Sequence, residues 1–337
     1  MAKKVLISGY IGFSNFGDDV IFAMLTRHLK AKGFEISALS ANPQRTKRQF
    51  KVGSAHYKNP FEIISEILKC DYLISGGGSL LQNTTSNLSL LYYIFIILLA
   101  KLMFKKVIIF AQGIGPVNGW FWRSLTRFTL TCCNLITVRD KESYKQLGKW
   151  KIKSSLVNDP AWDIPTLPID NKGYVGVQLR QYSNMHPDFV KLLVKYIGMY
   201  FSERKIILFV FQKPDDLVIA KEFERELRRQ YPEIKYEINF ESTIKSIVQG
   251  FSNLEYLFAM RFHACLLGLK YGLKVFALPY DIKVENLANE YRLVSIMVGK
   301  KPENYNAFFS TFMQRENDPN MHKPTFNWSI VDKYMAK

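Results

Sequence analysis

The chain has 337 residues, with 46 Lys and Arg against 29 Asp and Glu, a formal net charge of +17. Its 48% hydrophobic and 22% charged content excludes a disordered or collagen-like polypeptide, and its length favours two domains over one core. The 4 Cys (Cys70, Cys132, Cys133, Cys265) lack zinc-finger spacing and are too few for a disulfide framework, which fits a reducing, cytoplasmic compartment.

Lys4–Ser8 reads as a buried strand, not a signal peptide, because its apolar run ends at Gly12 in a polar turn. A helix around Asp19–Lys32 and a strand over Glu35–Ser40 follow. Phe61–Lys69 is predicted helical, and Tyr72–Ser75 is a strand running into Gly76-Gly77-Gly78. Leu88–Phe104 is the most apolar stretch, broken by Ser89 and Lys101 and too short for a bilayer span. It reads as a buried helix; the alternative is a membrane-contacting helix with Lys101, Lys105 and Lys106 at its end. Strand Lys106–Gln112, helix Phe121–Cys132, strand Leu135–Val138, helix Lys141–Leu147 and strand Ser155–Val157 complete the first half.

The aperiodic, Pro- and Asp-containing segment Pro160–Lys172 reads as the domain boundary. The alternation then restarts: strand Tyr174–Leu179, helix Asp188–Phe201, strand Lys205–Phe211, helix Leu217–Gln230 and strand Ile234–Ile238. A helix near Ser242–Gly250, strand Leu254–Ala259, helix His263–Tyr271 and strand Lys274–Leu278 follow. Trp328–Met335 is a last predicted helix. The expectation is an α/β protein of two Rossmann-like domains facing across a cleft: residues 1–165, residues 166–300 and a C-terminal stretch 301–337.

Ligands of such sheets bind beyond the carboxyl ends of the strands, so the strand exits carry the candidates. Three are Gly-rich loops. The first, Gly9–Asp19, contains Gly12, Asn15, Gly17 and Asp18 and has neither dinucleotide nor P-loop spacing. The second is Gly76-Gly77-Gly78-Ser79, with Ser86 positioned to cap the next helix. The third begins Gln112-Gly113. Each alone is compatible with a tight turn; together they would line one wall. Four strand exits carry cations: Arg139, Arg180, Arg261 with His263, and Lys283. Such a set suits a small anion bearing phosphate and carboxylate. No metal-ligand cluster stands out, and His28, His56, His186 and His322 have no inferable partners. The basic residues are dispersed, without a nucleic-acid module, which disfavours nucleic acid as the anionic partner.

The three loops, with Val138-Arg139-Asp140, Asn158-Asp159-Pro160, Met260-Arg261-Phe262-His263-Ala264 and Tyr280-Asp281-Ile282-Lys283-Val284, resemble the polysaccharide pyruvyl transferase family in content and order. The resemblance runs from Lys4 to about Ala288. It implies a fold like that of GT-B glycosyltransferases, phosphoenolpyruvate as donor and co-substrate with no separate cofactor, and a pyruvyl ketal on a sugar as product. It implies a donor-binding C-terminal half and an acceptor-binding N-terminal half. Arg139, His263 and Lys283 fall on donor-binding or catalytic positions, and Arg261 shares the Arg-x-His motif; Arg180 rests on its strand-exit position alone. On this reading His263 supplies or relays a proton and Asp18 accepts hydroxyl protons. Gly12, Asn15, Gly17, Gly76, Gly77, Gly78, Gln112 and Gly113 then form the acceptor-side loops. Phe262, Ile282, Asp19 and Asn83 stand where the family more often has Leu, Pro, Glu and Asp. The expected acceptor is a cell-surface glycan or its lipid-linked precursor, met at the inner face of an anionic membrane. A nucleotide-sugar-dependent GT-B glycosyltransferase is the alternative.

Overall fold

The computed structural model describes residues 2–300, 304–316 and 321–336. Two units are present: residues 1–164 with 324–337, and residues 165–323. The stretch 301–337 is therefore shared between them, and within it residues 301–303, 317–320 and 337 lie outside the described residues.

Unit 1 runs β1 (Lys4–Ser8), α1 (Phe16–Ala31), β2 (Glu35–Ser40), α2 (Pro43–Phe50), β3 (Gly53–His56), α3 (Pro60–Lys69), β4 (Tyr72–Gly76), α4 (Asn87–Leu102), β5 (Lys106–Gln112), α5 (Trp120–Thr131), β6 (Leu135–Val138), α6 (Lys141–Lys149) and β7 (Ser155–Leu156). Its sheet has the order β3-β2-β1-β4-β5-β6-β7, every pair parallel. The strands read as unbroken apolar runs because both faces are covered. Period-two alternation splits their side chains between two cores. Leu6, Leu73, Val107 and Ile109 pack with Ile63 and Ile67 of α3, Ile94 and Ile97 of α4, and Leu130 of α5. Val5, Ile7, Ile74 and Ile108 pack with Ile21 and Leu25 of α1 on the other face.

Unit 2 runs β8 (Tyr174–Gln178), α7 (Phe189–Phe201), β9 (Ile206–Phe209), α8 (Asp215–Gln230), β10 (Tyr236–Asn239), α9 (Ile244–Phe251), β11 (Leu254–Ala259), α10 (Phe262–Tyr271), β12 (Lys274–Ala277), α11 (Ile282–Glu290), β13 (Val294–Ser295) and α12 (Tyr305–Gln314). Its parallel sheet has the order β10-β9-β8-β11-β12-β13. Phe189, Leu193 and Ile197 of α7, Phe223 of α8 and Phe309 of α12 fill its core. The chain ends in α13 (Ser329–Met335), whose Val331 and Met335 return to the α1 face of unit 1.

Local chemistry sets the helix starts. Asn15, Asn59, Ser86, Asp140 and Asp281 each place a side-chain oxygen on a backbone N–H of the following first turn. α2, β3, α11, β13 and α12 were not expected from sequence. The buried helix expected over Leu88–Phe104 is α4; it buries one face and leaves Leu88, Leu91, Phe95 and Leu102 exposed.

Candidate active site

In unit 1 the strand order reverses between β1 and β4, the position at which open α/β sheets leave a crevice at their carboxyl edge. The three Gly-rich loops leave the adjacent strands β1, β4 and β5 and interlock there. Gly77 N–H donates to Phe110 O at 3.0 Å, Gly113 N–H to Gly78 O at 2.9 Å and Gly115 N–H to Leu81 O at 2.8 Å. Gly78 has φ +66°, and a Cβ there would lie 2.6 Å from Asp18 Oδ1. Glycine is thus required at 78 both by the left-handed backbone and by the closeness of the Asp18 carboxylate. A Cβ on Gly113 would lie 2.5 Å from Ser79 Oγ. Gly12 and Gly77 sit in the same loops, Gly76 ends β4, and Gly17 is in the first turn of α1, where Asn15 accepts from its N–H at 3.2 Å as the helix cap.

Gln112 faces inward. It is fully buried, and its amide donates to Ser75 O at 2.9 Å and Ser75 Oγ at 2.8 Å, tying β5 to β4. It supports the Gly-rich loops from beneath, its amide turned onto Ser75.

Sequence did not show two features at this edge, the burial of Asp19 and a cluster of aromatic rings. Asp19, next to Asp18, is buried and meets Arg45 Nη2 at 3.2 Å. Its carboxyl is raised to about 7, chiefly by burial, with Arg45 lowering it and Asp18 raising it. In the loop after β1 the Tyr10 and Phe13 rings stack at 4.1 Å, Phe13 meets Tyr57 edge-on at 5.4 Å, and Tyr57 meets Tyr92 at 5.8 Å. Half-buried aromatic rings near carboxylates offer flat apolar faces and polar groups together, the two surfaces a sugar presents. Only their individual presence was readable in sequence; the strand order β3-β2-β1-β4 gathers them.

Arg139 belongs to unit 1, at the exit of β6. Its Nη1 donates to Asp159 Oδ2 at 2.5 Å, and both side chains are almost wholly buried. Asp159 also accepts from Ala161 N–H at 2.8 Å. The Val-Arg-Asp and Asn-Asp-Pro motifs are thus joined by a buried ion pair. Arg139 lies in a different unit from His263 and Lys283, the other cations the resemblance assigned to the donor.

In unit 2 the order reverses between β8 and β11. Arg180 follows β8, Arg261 and His263 follow β11, and Lys283 follows β12, so three neighbouring strands deliver them to one edge. Arg180 Nη1 donates to Tyr280 Oη at 3.1 Å, and its guanidinium carbon lies 5.3 Å from the centre of that ring. Tyr280, whose phenol is raised by burial, thereby braces Arg180. His263 is in the first turn of α10, half-buried, its ring edge-on to Phe262 at 5.2 Å. Lys283 is half-buried in the first turn of α11, where Asp281 accepts from its backbone N–H at 3.1 Å.

Arg261 is drawn inward. Its Nε lies 2.9 Å and its Nη2 2.5 Å from the two oxygens of Asp216, which is wholly buried. Asp216 also accepts from Phe211 N–H at 3.0 Å, Gln212 N–H at 3.1 Å and Gln178 Nε2 at 3.0 Å. Gln178 Oε1 accepts from Arg261 N–H at 2.9 Å. Burial raises the Asp216 carboxyl, and Arg261 and the two backbone N–H groups hold it back down. The expected donor ligand Arg261 is thus a clamp that fixes the β11 exit beneath His263. Its partner Asp216 was not singled out in sequence.

Among the described residues no group of His, Cys, Asp and Glu could hold a metal ion. No helix among them is long and apolar enough to cross a membrane.

Two parallel Rossmann-like sheets in one chain, with polar loops at one switch point and cations at the other, define a GT-B-like α/β protein. UDP-GlcNAc 2-epimerase from Methanocaldococcus jannaschii shares the fold at TM-score 0.68 and 12% identity, over 99% of this chain and 100% of that one. The same enzyme from Neisseria meningitidis, solved with UDP-GlcNAc, aligns at 0.61 and 12%, over 99% of both chains. A glycosyltransferase from Rickettsia africae aligns at 0.57 and 14%, over 92% of this chain and 89% of that one. A search of curated protein sequences returns no match. The model of the polysaccharide pyruvyl transferase family matches residues 15–282, and the chain belongs to that family. It is by that membership a transferase of polysaccharide biosynthesis.

Proposed function

We propose that the protein transfers a pyruvyl group from phosphoenolpyruvate to two hydroxyls of a glycan sugar, giving a cyclic ketal and inorganic phosphate. The observation that carries this is the delivery of Arg180, His263 and Lys283 to one edge of unit 2 by three adjacent strands. Phosphoenolpyruvate bears a carboxylate and a phosphate, and cations that bond or face both groups bind it in one orientation.

In the proposed reaction the enol carbon C3 gains a proton, with His263 as its source or relay. One sugar oxygen bonds to C2. The bond from C2 to the phosphate oxygen breaks as a second sugar oxygen closes the ring. Of the two hydroxyl protons, one balances that gained by C3 and the other leaves with phosphate. Asp18, at the unit 1 loop edge, is the proposed acceptor of hydroxyl protons, and the aromatic group of Tyr10, Phe13 and Tyr57 the sugar platform. Lys283 and Arg180 neutralise the departing phosphate. The favoured acceptor is a lipid-linked precursor at the cytoplasmic face of a membrane.

The test is phosphate release from phosphoenolpyruvate against a panel of sugar acceptors, with UDP-sugars as alternative donors. Release that requires both phosphoenolpyruvate and a sugar is expected, with His263→Ala at least 100-fold slower. Transfer from a UDP-sugar without phosphoenolpyruvate would establish the glycosyltransferase reading. Parental transfer by His263→Ala would remove that residue from catalysis.

A further inference from the structure

α3, α4 and α5 cover one face of the unit 1 sheet, and each is apolar on two sides. The inward side is core: Ile63 and Ile67, Ile94 and Ile97, and Leu130 are buried. The outward side repeats the helical period. Exposed apolar residues recur on α3 at 61, 64 and 68, on α4 at 88, 91, 95 and 102, and on α5 at 120, 121 and 128. Exposure is nearly complete at the largest: Phe104 96%, Phe61 83%, Trp120 78%, Leu88 77% and Leu102 75%. No large apolar side chain of α1, α2 or α13 on the opposite face is exposed to this degree. Apolar side chains recurring on the outward as well as the inward side of a helix call for cover on both.

Charge selects the cover. From residue 72 to residue 139 the sequence has no Asp or Glu, while Lys101, Lys105, Arg123 and Arg127 lie within it on this side of the sheet. Arg123 and Arg127 are exposed on α5 beside Phe128. The two acids of α3 are engaged locally: Glu66 pairs with Lys69 at 3.0 Å, and Glu62 accepts from His56 N–H at 2.6 Å. A second copy docked here by two-fold symmetry would set these cations against themselves with almost no carboxylate to offset them. An anionic lipid surface supplies what the face lacks: apolar depth for Phe and Leu, an interface for Trp, and negative headgroups for Lys and Arg.

We propose that the α3–α4–α5 face docks peripherally on an anionic bilayer. The inference extends the reading of a lipid-linked acceptor by assigning the surface that meets the lipid. It uses none of the residues placed in the reaction.

The full chain is sedimented with vesicles of phosphatidylcholine alone and with 30% phosphatidylglycerol, at low and high salt. Binding only to the anionic vesicles, weakened at least tenfold by high salt, is expected. Phe104→Glu with Leu102→Glu should reduce binding at least tenfold, and Arg123→Glu with Arg127→Glu likewise. All four sites are exposed or at the helix surface, so circular dichroism and turnover of a water-soluble acceptor should be unchanged. Equal binding to neutral vesicles, no binding at low salt, or full binding by both variants would overturn the proposal. So would a dimer in sedimentation velocity that these substitutions dissociate while vesicles go unbound. Vesicle binding needs no phosphoenolpyruvate, so its outcome is separate from that of the transfer assay.

Discussion

Asp216 carries the cationic edge of unit 2, since its carboxylate takes Arg261, Gln178 and the N–H groups of Phe211 and Gln212 together. Removing it leaves a guanidinium buried without its counter-charge. Asp216→Ala should therefore cost about 3–5 kcal/mol, read as a lower urea midpoint. The double variant with Arg261→Ala should cost less than the sum of the singles; strict additivity would show the pair is not coupled. Asp19 offers a pH test in unit 1. Its ordinary value of 3.8 rises to about 7 in the fold, chiefly through burial. Between those values the folded chain keeps a proton that the unfolded chain has lost, so stability falls as pH rises through that window. Asp19→Asn has no such proton. From pH 5 to pH 8 the wild type should lose about 3 kcal/mol relative to this variant in urea unfolding. Parallel curves would refute the shift. Sequence placed Asp19 at a family position without showing its burial, and it did not single out Asp216. Asp216 lies 45 residues from Arg261, and an Asp pair after Pro214 resembles any helix start. The strand exits were legible because Arg139, Arg180, Arg261 and Lys283 each follow a β run. Sequence could not say that two of them turn inward to carboxylates.

The elements that sequence named best are those with apolar periodicity. β1, β2, β5, β6 and β11 begin and end where the runs predict. α2 was invisible because it buries only Thr46 and carries no apolar stripe; its signal was the Asn42 cap followed by Pro43. β3, Gly53–His56, has no branched or aromatic residue to mark a strand. α12 was readable, since Tyr305, Phe309 and Phe312 repeat at helical spacing, but the polar residues around them masked the stripe. At this scale the three interlocked loops are the feature to perturb. Gly78→Ala forces a side chain into the left-handed region and onto the Asp18 carboxylate. It should cost about 1–2 kcal/mol in stability. Transfer should fall further than Gly33→Ala, a left-handed site with open space around it, makes it fall. Equal losses from the two would show that the Asp18 contact has no part in turnover.

The whole chain closes back on its first unit. Beyond residue 323 it supplies Phe326, Val331 and Met335 to the core facing α1. Trp328 Nε1 donates to Asp163 Oδ2 at 2.7 Å, His28 Nε2 meets Asp332 at 2.7 Å, and the His28 and Trp328 rings stack at 4.1 Å. The last predicted helix was right in place, yet sequence had no means to assign it to the unit that begins the chain. Three buried apolar side chains are worth about 1.5–3 kcal/mol each, enough to decide whether a domain of this size stays folded. Ending the chain after Lys323 should therefore open unit 1 selectively. Hydrogen exchange should rise in β1, β4 and α1, whose cover is lost, while the β8–β11–β12 amides keep their protection. Uniform deprotection of both sheets would mean that the two units unfold as one, and full protection of β1 would mean that the C-terminal helix is an accessory. Because His263 and Lys283 are in the other unit, phosphoenolpyruvate binding should survive the truncation while acceptor-dependent phosphate release is lost. Loss of phosphoenolpyruvate binding on truncation would instead overturn the proposed donor site on unit 2, with no substitution made within it.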